Sequence, residues 1–175
     1  MSRIIRLAAS LAIVGAFATA LVAYATAGPP NHANRFEASF HETVQVSTNN
    51  RAAYGIGQVI LTGSGTLEGF GAATEVGGVT TDNSFQPCGV GSESAAVTRR
   101  IITAEGTLAI RESNETCVTA AGRVATGAFE VDGLFSTGVF AGATGGGTVT
   151  NRVYLIGSGQ TSLTLSGKLN LTNDG

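Results

Sequence analysis

Residues 162–172 read Ser-Leu-Thr-Leu-Ser-Gly-Lys-Leu-Asn-Leu-Thr. Leu163, Leu165, Leu169 and Leu171 fall on one parity with Gly167, and Ser162, Thr164, Ser166, Lys168, Asn170 and Thr172 on the other. A period of two places successive side chains on opposite faces of a strand, so this segment buries leucine on one side and wets the other. The same pattern opens the domain. Phe36, Ala38, Phe40, Val44 and Val46 share a parity, and Arg35, Glu37, Ser39, His41, Thr43, Gln45 and Ser47 share the opposite one. Between these ends the reading predicts strands over 54–66, 69–79, 95–103 and 107–111, then a region over 117–131. A further strand carries Val149, Val153 and Leu155. Asn49-Asn50, 104–106, 113–115 and 157–159 read as turns, 80–94 as a long loop, and Asp132-Gly133 as a hairpin. No segment after the leader repeats at 3.6 residues. The fold class expected is all-β: one antiparallel β-barrel of about eight strands, closed so that no edge is left unpaired.

The glycines say how such a barrel is built. Residues 136–149 read Ser-Thr-Gly-Val-Phe-Ala-Gly-Ala-Thr-Gly-Gly-Gly-Thr-Val. Gly138, Gly142, Gly145, Gly146 and Gly147 surround one large apolar anchor, Phe140. Glycine at that density opposes helix, at about 1 kcal/mol each relative to alanine. It suits backbone that bends sharply or approaches another strand closely. Gly63, Gly65 and Gly167 lie in phase with core positions, where a coiled strand needs little bulk.

The first 27 residues read as a cleaved signal peptide. Arg3 and Arg6 precede the apolar run 7–22, and Ala25-Thr26-Ala27 matches a cleavage site. The run is shorter than the roughly 20 apolar residues of a spanning helix. The domain plan is therefore 1–27 signal peptide, 28–34 flexible leader and 35–173 barrel, in a secreted or periplasmic protein. Cleavage leaves 148 of 175 residues and moves the net charge from −2 to −4, because the removed part holds two arginines and no acid. That balance opposes nucleic acid and anionic membrane as partners. No second apolar run predicts stable membrane insertion after cleavage. The two cysteines of an exported chain, Cys88 and Cys117, are expected to pair.

Chemical motifs are sparse. The glycines at 142–147 are not followed by the Lys-Ser/Thr of a phosphate loop, and no Gly-x-Ser-x-Gly elbow occurs. His32 and His41 are the only histidines, and Asp82, Asp132 and Asp174 are isolated, so no metal site and no cofactor is expected. One residue breaks a core parity: Glu42, on the apolar side of the first strand. Either it sits at a strand end or bulge on the barrel rim, or it is buried, its pKa rises, and it becomes a candidate acid or base. Arg99 and Arg100 must face opposite ways in a strand, so one of them can point inward and pair with Glu42. These three are the candidate catalytic side chains, and the ligand-binding residues are left unassigned.

Residues 63–71, Gly-Ser-Gly-Thr-Leu-Glu-Gly-Phe-Gly, residues 102–108, Ile-Thr-Ala-Glu-Gly-Thr-Leu, and the 136–149 segment resemble a group of exported bacterial proteins that looks related to allene oxide cyclase and dirigent barrels. Thr137-Gly138-Val139-Phe140, with Ala143 or Gly145, takes places similar to the glycine-rich strand entry of dirigent proteins. The resemblance implies a barrel; the polar cavity residues of those families have no matching positions in this chain. Three functions follow as expectations. The first is a non-catalytic exported barrel that binds a small apolar ligand or serves as an interaction module. The second is a cyclase-like or dirigent-type barrel that positions a reactive apolar substrate. The third is a structural subunit of an envelope or secreted assembly. Polar outer faces also suit self-association as a homo-oligomer.

Overall fold

The computed structural model describes residues 35–47, 56–82, 84, 86–120, 122–153 and 159–172. The signal peptide and the leader read at 1–34 lie outside these residues. Eight strands follow in chain order: β1 (Phe36–Ser47), β2 (Ile56–Leu67), β3 (Gly71–Asp82), β4 (Glu93–Thr103), β5 (Gly106–Thr119), β6 (Gly122–Val131), β7 (Thr144–Val153) and β8 (Gln160–Asn170). Each pairs antiparallel with the next, and β8 returns to β1, so the sheet closes as an up-and-down barrel.

The register places core parities on one side throughout. Ala38 sits opposite Leu67 and Leu165, and Phe129 opposite Gly147. Phe36, Phe40, Leu67, Ile101, Leu108, Ile110, Phe129, Val149, Leu163 and Leu165 fill the half of the barrel where β1 begins and β8 ends. An eight-stranded barrel is just wide enough for side chains to fill. Phe36 stacks tilted on Phe129 at 5.2 Å between ring centroids. Outward positions carry Ser39, His41, Ser64, Thr66, Thr126, Thr150, Thr164 and Lys168, all exposed.

The connection 132–143 closes this end. Its backbone runs beside the start of β5, with Thr137 N–H donating to the Thr107 carbonyl and Ala109 N–H to Ser136 Oγ. It then makes a single 3-10 turn, Gly138–Phe140. Phe140 is fully buried and packs on Phe70 at 4.7 Å. Gly138 has φ +63°, and a Cβ there would lie 2.1 Å from the Glu105 carbonyl oxygen. Only glycine lets the connection touch the β4–β5 turn. Gly142 and Gly145 also have positive φ (73° and 152°). Gly147 faces Gly167 across β7 and β8, where a Cβ on either would meet the other's Cα within 2.7 Å. The bulk excluded at Gly65, Gly147 and Gly167 therefore belongs to the neighbouring strand's backbone rather than to the opposite wall.

Three local expectations are corrected. Ser113-Asn114-Glu115 is not a turn: β5 runs through it, because Glu112 and Asn114 continue the inward parity of Leu108 and Ile110 and find partners inside. Asp132-Gly133 starts a twelve-residue connection rather than a two-residue hairpin. β3 runs on to Asp82 and β4 starts at Glu93, so strands take both ends of the loop expected over 80–94. Cys88 in that loop is bonded to Cys117 of β5, with Cα atoms 5.6 Å apart.

Truncating Phe140 to alanine should open a cavity under the connection and cost about 3–5 kcal/mol in urea unfolding. Truncating the exposed Leu134 of the same connection should change stability by no more than about 0.5 kcal/mol.

Candidate functional site

Beyond the apolar half, the barrel interior changes character. Glu42, Glu75, Arg99, Glu112, Asn114, Asn151 and Thr161 are all buried and all occupy inward parities, on β1, β3, β4, β5, β7 and β8. The carboxyl groups of Glu42, Glu75 and Glu112 and the Arg99 guanidinium have side chains no more than 1% exposed. An isolated charge in such surroundings is prohibitive, so the layer exists only through its internal pairing.

Arg99 is the hub. Its Nη1 donates to Glu42 Oε1 and to Glu75 Oε2, and its Nε donates to Glu112 Oε1 at 2.6 Å. Arginine suits this position because its rigid fork can serve several carboxylates at once. The amides and the hydroxyl complete the outer ring. Asn114 Nδ2 donates to Glu112 Oε2 at 2.9 Å, Asn151 Nδ2 donates to Glu42 Oε2, and Thr161 Oγ1 donates to Asn151 Oδ1 at 2.6 Å. Burial opposes the charge on Arg99, but Glu112, Glu42 and Glu75 outweigh it and hold the guanidinium above its ordinary value. Burial pushes the Glu75 carboxyl up to about 8; Arg99 pulls it down, and hydrogen bonding and like charge from Glu42 raise it again.

The sheet register explains why these groups meet. Gly63 of β2 lies opposite Glu42 of β1 on one side and Glu75 of β3 on the other. With no side chain between them, the two carboxyls face each other across a glycine. A Cβ on Gly63 would stand 2.6 Å from Glu75 Oε1. Gly127 does the same for Asn114: a Cβ there would stand 2.4 Å from Asn114 Oδ1. Glu75 Oε1 and Asn114 Oδ1 are also the two buried side-chain atoms, among the described residues, with no hydrogen-bond partner.

Of the three side chains singled out in the sequence, the structure joins two. Glu42 pairs with Arg99, and Arg100 points outward and is exposed. The rim or bulge reading of Glu42 is corrected: it lies inside β1 with unbroken register to Gly63 and Thr161. Glu75, Glu112, Asn114, Asn151 and Thr161 were not singled out. Their signal is the one that exposed Glu42, a polar residue in core phase. It was hidden by a weak alternation in β3 and by the polar run 112–116 in β5. No family model matches this chain, and no match to it is found among curated proteins.

Replacing Arg99 with methionine keeps the volume but strands three buried carboxyls. Loss of one partner of a buried ion pair costs about 3–5 kcal/mol. Urea unfolding at neutral pH should show at least that loss for Arg99→Met, against a change within about 0.5 kcal/mol for Arg100→Met.

Proposed function

We propose that the protein is an exported, non-catalytic barrel that acts through its surface as an interaction module, with a solid interior. The observation that carries this reading is the filling of the barrel's closed end and of the polar layer that follows it. Phe36, Phe129, Phe140, Leu67, Ile101, Leu108, Ile110, Leu163, Leu165 and Val149 are the largest fully buried side chains, and they pack into one apolar cluster. The polar layer above them is equally dry at its charged groups. A small apolar ligand in this part of the lumen would have to displace side chains. A cyclase-like or dirigent-type reaction would need a substrate to reach Glu42 or Glu75, and both are enclosed. An acid that touches no substrate transfers no proton to one.

The surface offers contact groups. Leu134 and Phe135, on the connection that closes the apolar end, are 93% and 60% exposed. Beside them a shallow groove is lined by Arg111, Glu130, Asp132, Gly142 and Thr144. Adjacent exposed apolar side chains rimmed by polar and charged ones are a feature of contact surfaces. Among the described residues the outward strand positions mix Thr, Ser and charged side chains with exposed Ile60, Val76 and Ile102, and form no continuous apolar outer band of the kind a membrane-spanning barrel requires. Secretion or periplasmic residence rests on the signal-peptide reading together with the paired cysteines. Kinship with allene oxide cyclase and dirigent barrels rests on the glycine motifs, and the closed eight-stranded architecture is compatible with it.

Native mass spectrometry of the protein recovered from the medium of the secreting cell should give the mass of the polypeptide alone. A hydrophobic compound retained at one per chain would overturn the solid-interior reading and restore that of a ligand-binding barrel.

A further inference from the structure

The buried layer does not balance in charge. Three carboxyls surround one guanidinium, and the other described basic side chains do not help: Arg35, Arg100, Arg111, Arg152 and Lys168 are exposed, and Arg123 pairs with Glu93 nearer the other end of the barrel. We propose that the folded barrel holds one proton in the Glu42–Glu75 carboxyl pair, which makes the barrel a proton-locked structure that tightens in acid and loosens when that proton leaves.

Every wall packed against the pair supports this. From β1 and β3 come the two carboxyls themselves, meeting over Gly63 of β2. From β4 comes Arg99, which reaches both through one nitrogen, Nη1. From β5 comes Glu112, which takes the other donor of Arg99 at Nε and adds negative charge. β6 presents Gly127 and Phe129, which carry no charge. β7 and β8 contribute Asn151 and Thr161, both neutral, and of these Asn151 is bonded to Glu42. Glu75 is thus the carboxyl with the fewest donors: one of its oxygens accepts from Arg99 and the other accepts from nothing. A proton on the pair removes the like-charge contact and supplies a donor between the two groups. The rise of the Glu75 pKa, driven first by burial, agrees with that geometry.

The direction of the effect is fixed by linkage. The folded pKa of Glu75, about 8, lies above its ordinary value of 4.5, so the folded state holds more protons than the unfolded chain between those values. Stability from this group is fully present below the lower value, falls as pH rises, and levels off above the upper one. One linked proton changes the folding equilibrium constant by up to about tenfold per pH unit.

The test is urea unfolding of the full secreted chain across about pH 5 to 9, together with infrared spectra. Wild-type stability should decline through that window. Glu75→Gln, whose amide supplies the donor without a titrating proton, should remove most of the slope and be the more stable protein at the alkaline end. Glu42→Gln, made in parallel, should also flatten the slope; it decides the matter if the first variant does not fold. At pH 7 the wild type should show the infrared band of a protonated carboxyl, which a merely structural role for Glu75 would not produce. A slope unchanged in the folded variant, or the absence of that band from the wild type, would overturn the proposal.

Discussion

The contact between the Arg99 guanidinium and three carboxyls is the constraint on which the polar half of the barrel depends. Each partner comes from a different strand: Glu42 from β1, Glu75 from β3 and Glu112 from β5, around Arg99 on β4. Burying any one of these charges without its partners would cost several kcal/mol, a large share of a domain's net stability. Together they are tolerable, and only in one arrangement. A slip of one residue in any of these strands would turn its charged group to solvent and bring a polar outer residue inside. The layer therefore selects register as much as it adds stability, and glycine at 63 and 127 is part of the same constraint, because a methyl group at either position would collide with a carboxyl or amide oxygen.

The apolar half follows a different logic. It is held by packing and closed by the connection that carries Phe140, rather than by hydrogen bonds among side chains. Along the axis, hydrocarbon lies beneath the closed end and the ion pairs and amides follow it, with Leu61 of β2 and Val97 of β4 buried beyond Gly63 and Arg99 on their strands. That division ties the fold to the reading of function. A closed end packed with apolar side chains leaves the exposed connection, with Leu134 and Phe135, as an apolar surface offered there. The disulfide from Cys88 to Cys117 anchors the loop after β3 against β5 near the opposite end.

The barrel was legible where strands alternate cleanly. β1 and β8 could be read residue by residue, since Phe36, Phe40, Leu163 and Leu165 keep one parity and their neighbours are polar. The same rule pointed to Glu42, and the adjacency of Arg99 and Arg100 required one of them to face inward. It failed in β5, where Glu112, Ser113, Asn114, Glu115 and Thr116 form a polar run that local chemistry assigns to a turn. There a tertiary constraint prevails over local preference: the inward members of the run are satisfied by Arg99 and by one another, and nothing in the run itself reveals a partner on another strand. The length of the 132–143 connection was likewise hidden, because Asp-Gly signals a tight hairpin and Phe140 finds its place only against Phe70. The reason for glycine at 167 was half visible: its phase was evident, but the backbone it accommodates, at Gly147, belongs to the adjacent strand.

Hydrogen exchange of the Arg99 Nε proton by NMR tests most directly whether a dry guanidinium hub holds the polar half together. Enclosed and bonded to Glu112, that proton should exchange only through global unfolding, as slowly as the most protected backbone amides of β4 and β5. Exchange at the rate of the exposed Arg100 side chain would contradict the account, since it would mean that water reaches the hub in the native barrel.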